Sequence, residues 1–139
     1  MKPERITVTT TVKASPEKTW EYWTTPEHII RWNSASSDWH TPRAENDLRE
    51  NGRFSFRMEA RDGSTGFDFG GTYTRVKPYQ NISYTMDDGR KVEVRFSPQE
   101  EGTLIEEEFE AEDTFPPQYQ REGWQAILNK FKEHLESAL

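Results

Sequence analysis

A change of period constrains this chain more than any other feature. From Gly52 to Ala111 the apolar side chains recur at every second position, and from Trp124 onward at every third or fourth. "GRFSFRMEA" sets Phe54, Phe56 and Met58 against Ser55, Arg57 and Glu59, and "FDFGGTYTRV" sets Phe67, Phe69, Gly71 and Tyr73 against Asp68, Thr72 and Thr74. "NISYTM" and "KVEVRFS" continue the pattern through Ile82, Tyr84, Met86, Val92, Val94 and Phe96. Such alternation belongs to strands with one buried and one wet face. The last segment, "PPQYQREGWQAILNKFKEHLESAL", instead carries Trp124, Ile127, Leu128, Phe131, Leu135 and Ala138 as a helical stripe. About 20 helical residues make a rod of roughly 30 Å. A sheet with one apolar face needs a cover, and this stripe is the cover the chain offers.

The N-terminal part fills in the order. "RITVTTTVKA" alternates Ile6, Val8, Thr10 and Val12 as a strand. Ser15 then caps a helix with Pro16 at its first position and Trp20 and Trp23 on one face; Thr25 and Pro26 repeat the device before Ile29 and Trp32. "NSASSDWHTPRAEND" is polar and loop-like around Trp39, and "DDGR" is a hairpin turn. The expected fold is α+β: one strand, two short helices, about six antiparallel strands and a long C-terminal helix. The curved antiparallel sheet wraps around that helix in a helix-grip arrangement. Residues 1–139 form one domain, without linker or internal repeat. A curved sheet gripping one helix does not close along its whole length, so a cavity is expected between them and the two short helices.

Composition bears on what could fill that cavity. Only 32% of residues are hydrophobic, yet 13% are aromatic, with five Trp and eight Phe, so much of the apolar volume lies in rings. A net charge of −7 without a basic run argues against a nucleic-acid partner. Absent cysteine excludes disulfides, thiolate metal sites and cysteine nucleophiles. His28, His40 and His134 lack metal-ligand spacing, and no catalytic triad or carboxylate dyad can be defended, so neither metal, cofactor nor catalytic residue is expected. Gly70-Gly71 has no helix or Lys-Ser/Thr after it, which favours a strand bend or a close helix approach over a phosphate loop. "MKPERITVTT" lacks the apolar centre of a signal peptide and no stretch has membrane-spanning length, giving the expectation of a soluble cytoplasmic protein without membrane insertion. The sequon Asn81-Ile82-Ser83 is then a chance match.

"TLIEEEFEAED" poses the sharpest local question. Ile105, Phe109 and Ala111 share one strand face, which carries Glu107 inward and leaves Glu106, Glu108, Glu110 and Glu112 in water, pairing with Lys91 and Arg95. Two readings of Glu107 stand: a carboxyl facing a pocket with a raised pKa, or a residue returned to water by a bulge or by the sheet's rim.

The order and spacing of "ASPEKTWEYWTTPEHIIRW", "DLRENGRFSFRM", "FGGTYTRVKP" with "ISYT", and "EGWQAILNKFKEHL" resemble the START-like, or Bet v 1-like (SRPBCC), superfamily. More narrowly, they resemble the group homologous to the C-terminal domain of the activator of heat-shock protein 90 ATPase. Asn51-Gly52 stands where many relatives carry Gly-Gly; Asn also tolerates the left-handed conformation. The resemblance implies a hydrophobic or amphipathic small molecule held between sheet and C-terminal helix. The alternatives it implies are a chaperone-associated interaction module and a polyketide-cyclase-type enzyme. The expected ligand contacts are Phe54, Phe56, Phe67, Phe69, Phe96, Phe109 and Trp124 for area, with Tyr73, Tyr84 and Glu107 as polar points. Trp32, Trp39 and His40 are placed at the entrance.

Overall fold

A computed structural model describes residues 4–139; residues 1–3, which open the stretch read above for a signal peptide, lie outside it. β1 (Arg5–Val12) leads into α1 (Pro16–Thr24) and α2 (Pro26–Trp32). A meander of six strands follows: β2 (Trp39–Asn46), β3 (Arg53–Ala60), β4 (Gly66–Lys77), β5 (Asn81–Met86), β6 (Lys91–Gln99) and β7 (Gly102–Glu110). The chain then enters α3 (Pro117–Ser137). All seven strands form one antiparallel sheet in the order β1-β7-β6-β5-β4-β3-β2. β1 therefore joins beside the last strand, and α1–α2 carry the chain from one edge of the sheet to the other. This is the expected helix-grip fold.

The caps explain the tandem helices. The Ser15 hydroxyl accepts from the Lys18 amide at 3.2 Å, and Pro16 occupies a position whose N–H would go unpaired anyway. Thr25 departs from expectation. It sits at the N-cap of α2, but its side chain makes no capping bond; its carbonyl accepts from His28 and Ile29, and its own N–H closes α1 on Glu21.

The segment read as a loop around Trp39 is instead β2, an edge strand. Only Thr41 is buried in it, so no alternation announces it. A register shift between His40 and Arg43 accommodates Pro42, which has no N–H for the ladder. The opposite edge, β1, is covered by α3. Arg121, Gln125 and Lys132 donate to the carbonyls of Thr7, Thr9 and Thr11. Four helical residues rise about 6 Å and two strand residues about 6.7 Å, so Arg121 and Gln125 meet successive outward carbonyls. An edge open to aggregation is thereby occupied.

The helix stripe behaves as expected except at its end. Leu128, Phe131 and Leu135 are fully buried, whereas Ala138 lies past the end of α3 and is exposed. Phe131 meets Trp23 and Trp32 at ring distances of 4.9 and 5.1 Å, and Trp23 meets Phe96 at 5.8 Å. This aromatic wedge locks α1 and α2 against α3. Gly71 has a different reason from the expected helix approach: a Cβ there would lie 2.5 Å from the Thr85 carbonyl and 3.0 Å from the Phe54 ring. The missing side chain is what lets Phe54 lie flat against the strand.

Candidate functional site

Beyond that wedge, towards the N-terminal half of α3, the interior is not filled. A cavity of about 540 Å³ lies between α3, strands β3, β4, β5 and β7, and the ends of α1 and α2. Of the residues expected to contact a ligand, Trp32, Phe54, Phe56, Phe67, Phe69, Tyr73, Tyr84, Glu107 and Trp124 line it. Phe96 and Phe109 do not. Phe96 is packed edge-on against Trp20 at 5.6 Å, and Phe109 lies beneath Trp124, stacked at 4.0 Å. Phe109 thus presents Trp124 to the cavity rather than itself.

Trp39 and His40 stand outside the lining as well. Trp39, on the edge strand, meets Phe67 edge-on at 5.9 Å, and the His40 Nε2 lies 3.9 Å from a Glu59 carboxylate oxygen. The mouth is formed elsewhere, by Phe67, Phe115 and Tyr119, which are 47%, 50% and 61% exposed. Phe115 and Tyr119 escaped sequence reading because "TFPPQY" looks only like a helix lead-in. A Phe and a Tyr flanking a proline pair, outside any apolar stripe, were the available signal. Gln120 was missed too. Buried in the first turn of α3, it accepts from the Glu112 N–H at 2.9 Å and donates to the carbonyls of Glu112 and Phe115 at 3.1 and 2.7 Å. It clamps the segment that carries Phe115 to the mouth.

The polar groups inside are few and of two kinds. Tyr73 is satisfied: its hydroxyl donates to Asn46 Oδ1 at 2.6 Å, and Asn46 Nδ2 donates to the Thr24 carbonyl at 2.8 Å. Burial pushes its phenol well above the usual range. Glu107 and Tyr84 are not satisfied in this way. β7 is regular here, with Glu107 opposite Val8 and Val94, so no bulge turns the side chain outward. The residue is 6% exposed. Burial raises its carboxyl from 4.5 to about 8, with no cation or hydrogen bond offsetting the effect. Tyr84 is pushed up by burial first and by the nearby Glu107 second. Two further polar atoms of the lining, Asn33 Nδ2 and Glu112 Oε1, are buried without a partner.

Glu112 corrects the expectation that it faces water. It lies beyond the end of β7, where the strand's alternation no longer holds, and its side chain turns into the cavity. Glu106, Glu108 and Glu110 do lie on the outer face. Arg95 reaches Glu106 and Glu108 at 4.0 and 3.3 Å, and Arg5 of β1 reaches Glu108 and Glu110 at 3.1 and 3.7 Å. Lys91 contributes its backbone N–H to Glu110 at 2.7 Å rather than an ion pair. The second arginine comes from β1, whose adjacency to β7 is a property of topology.

Among the described residues no three His, Cys, Asp or Glu side chains gather as metal ligands. Two histidines expected to be separate do meet: His28 Nδ1 and His134 Nε2 lie 3.1 Å apart, with Tyr22 stacked on His28 at 3.8 Å. No helix among the described residues is long and apolar enough to cross a membrane.

A long helix gripped by a seven-stranded sheet, with an aromatic cavity between them, defines a START-like (Bet v 1-like, SRPBCC) domain. Within that class the chain belongs to the family described as "Activator of Hsp90 ATPase homolog 1-like protein", whose model matches residues 13–136. It is similar to the solution structure of an AHSA1-like protein from Aeromonas hydrophila, with 45% identity, 97% of this chain and 94% of that one covered, and a TM-score of 0.92. It is also similar to Chr148 from Cytophaga hutchinsonii, with 49% identity, 96% and 93% coverage and a TM-score of 0.84. Protein NE0264 from Nitrosomonas europaea, at 16% identity, 97% and 96% coverage and a TM-score of 0.85, shares the fold. No curated protein matches the chain.

Proposed function

We propose that this domain binds a hydrophobic or amphipathic small molecule in the cavity between sheet and C-terminal helix, in the cytoplasm and without catalysing a reaction on it. The observation that carries this reading is the unfilled space of about 540 Å³, within the range of small-molecule sites, with aromatic walls and a few convergent polar groups. A domain of this size evolving only for stability would close such a space, because unfilled apolar volume costs contact energy.

Gly123 gives a direct test. It lies on the cavity face of α3, and a Cβ built there meets nothing within 4 Å. Gly123→Phe places a ring in the cavity while removing a glycine from a helix interior, which favours the helix by a few tenths of a kcal/mol. The probe is anthracenylmethanol, read by energy transfer from Trp23, Trp32 and Trp124 in the walls. Wild type is expected to show saturable transfer, and the variant to lose it at an unchanged or raised melting temperature. Equal binding by the variant would contradict the reading. A chaperone is the alternative partner that the family description suggests. Capture of a chaperone by the Gly123→Phe variant as efficiently as by wild type would favour a docking surface instead.

A further inference from the structure

The charges around the cavity do not balance. At the mouth each aspartate has an arginine: Asp68 with Arg57 at 3.7 Å, Asp87 with Arg53 at 3.0 Å, and Asp88 with Arg90 at 2.9 Å. Among the described residues Arg90 is the one cation in the lining, and Asp88 engages it. Inside, Glu107 and Glu112 have no cation at all among the described ion pairs, and one oxygen of Glu112 is buried without any partner. Glu107 is more than nine-tenths buried and faces the open space. Carboxyls left unmatched inside, where each aspartate at the mouth is matched, are a vacancy for positive charge. The walls suit the same charge, since the faces of Trp23, Trp32, Phe54 and Trp124 attract cations.

We propose that the cavity takes a cationic amphiphile, an apolar body carrying a protonated amine, with the ammonium held against Glu107. This rests on the cavity reading and adds the ligand's charge to it. The titratable and charged groups that share Glu107's cavity are Tyr73 and Tyr84 on the sheet, Arg90 at the β5–β6 turn, Glu112 before α3, Tyr119 on α3, and Asp68, Asp87 and Asp88 at the mouth. Only Arg90 among them opposes a cation, and its pairing with Asp88 at the mouth occupies it. In the free protein at neutral pH the Glu107 carboxyl is largely protonated. When the ammonium enters, Glu107 ionises, its proton leaves to solvent and an ion pair forms. Amine binding therefore releases close to one proton and strengthens as pH rises towards about 8. Binding of an alcohol with the same body does neither.

The experiment compares anthracenylmethylamine, anthracenylmethanol and anthracenecarboxylate on wild type and on Glu107→Gln, by tryptophan energy transfer and by calorimetry in buffers of different ionisation enthalpy. At about pH 8 wild type is expected to bind the amine at least tenfold more tightly than the alcohol, with the carboxylate weakest. The amine's association constant is expected to rise up to about tenfold per pH unit between about pH 6 and 8. Glu107→Gln is expected to keep the alcohol and lose both the amine's advantage and its proton release. Alcohol or carboxylate binding as tightly as the amine would overturn the charge assignment and leave the cavity reading intact. Binding of none of the three would overturn both.

Discussion

Replacing Glu107 by glutamine is expected to stabilise the folded protein, and to do so only above mildly acidic pH. The sign follows from the direction of the shift. The folded state holds the Glu107 proton up to about pH 8, whereas an exposed glutamate releases it near 4.5. Between those values the folded state binds more protons than the unfolded one, so stability falls as pH rises. Below about pH 4.5 both states are protonated and the penalty vanishes; near pH 7 it amounts to ~3 kcal/mol and it levels off above about pH 8. Glutamine has nearly the same shape and no charge to desolvate. The difference in unfolding free energy between variant and wild type, from urea titrations, should rise from near zero at about pH 4 to a few kcal/mol at about pH 8. A difference that stays flat across that range would show that Glu107 is already ionised and compensated in the folded protein. Stability given up at one buried residue is a common mark of a site kept for binding.

The second large effect lies at the wedge. Phe131→Ala is expected to cost about 3–5 kcal/mol, because the ring is fully buried between Trp23 of α1 and Trp32 of α2 and ties both helices to α3. The same two tryptophans form the inner end of the cavity, so binding of anthracenylmethanol should weaken even where the variant remains folded. Denaturation and probe titration on one preparation check both. Phe115→Ala, half exposed at the mouth, supplies the contrast, with a stability change within about 0.5 kcal/mol. A mild effect at Phe131 would mean that the helices are held by something other than this wedge.

Most of the fold was legible because two hydrophobic periods carry it. Strands β3, β5, β6 and β7 each bury alternate residues, and α3 buries Leu128, Phe131 and Leu135 along one stripe. β2 was not legible, since an edge strand with one buried residue and a proline has no period to show. The site was legible only as far as strand faces go. Alternation alone brings Phe54, Phe56, Tyr84 and Glu107 to the concave side, and all four line the cavity. It cannot say which inward rings end up under another ring, as Phe96 and Phe109 do. That depends on where α1 and α3 settle, which is a matter of packing between distant segments. The mouth was misjudged for the same reason. Trp39 and His40 were placed there by their position in a polar stretch, but the opening is set by the segment before α3, clamped by Gln120. Glu112 turned inward because the strand ends at Glu110, and the alternation that would have sent it to water ends there too.

The most direct measurement is native mass spectrometry of the protein purified from the cells that make it, with extraction and mass determination of any bound compound. The cavity account predicts a one-to-one adduct of a hydrophobic or amphipathic compound, present on wild type and absent from Gly123→Phe; the charge assignment adds that this compound carries a basic amine. A clean apo mass for wild type and variant alike, from cells lysed without detergent, would contradict it.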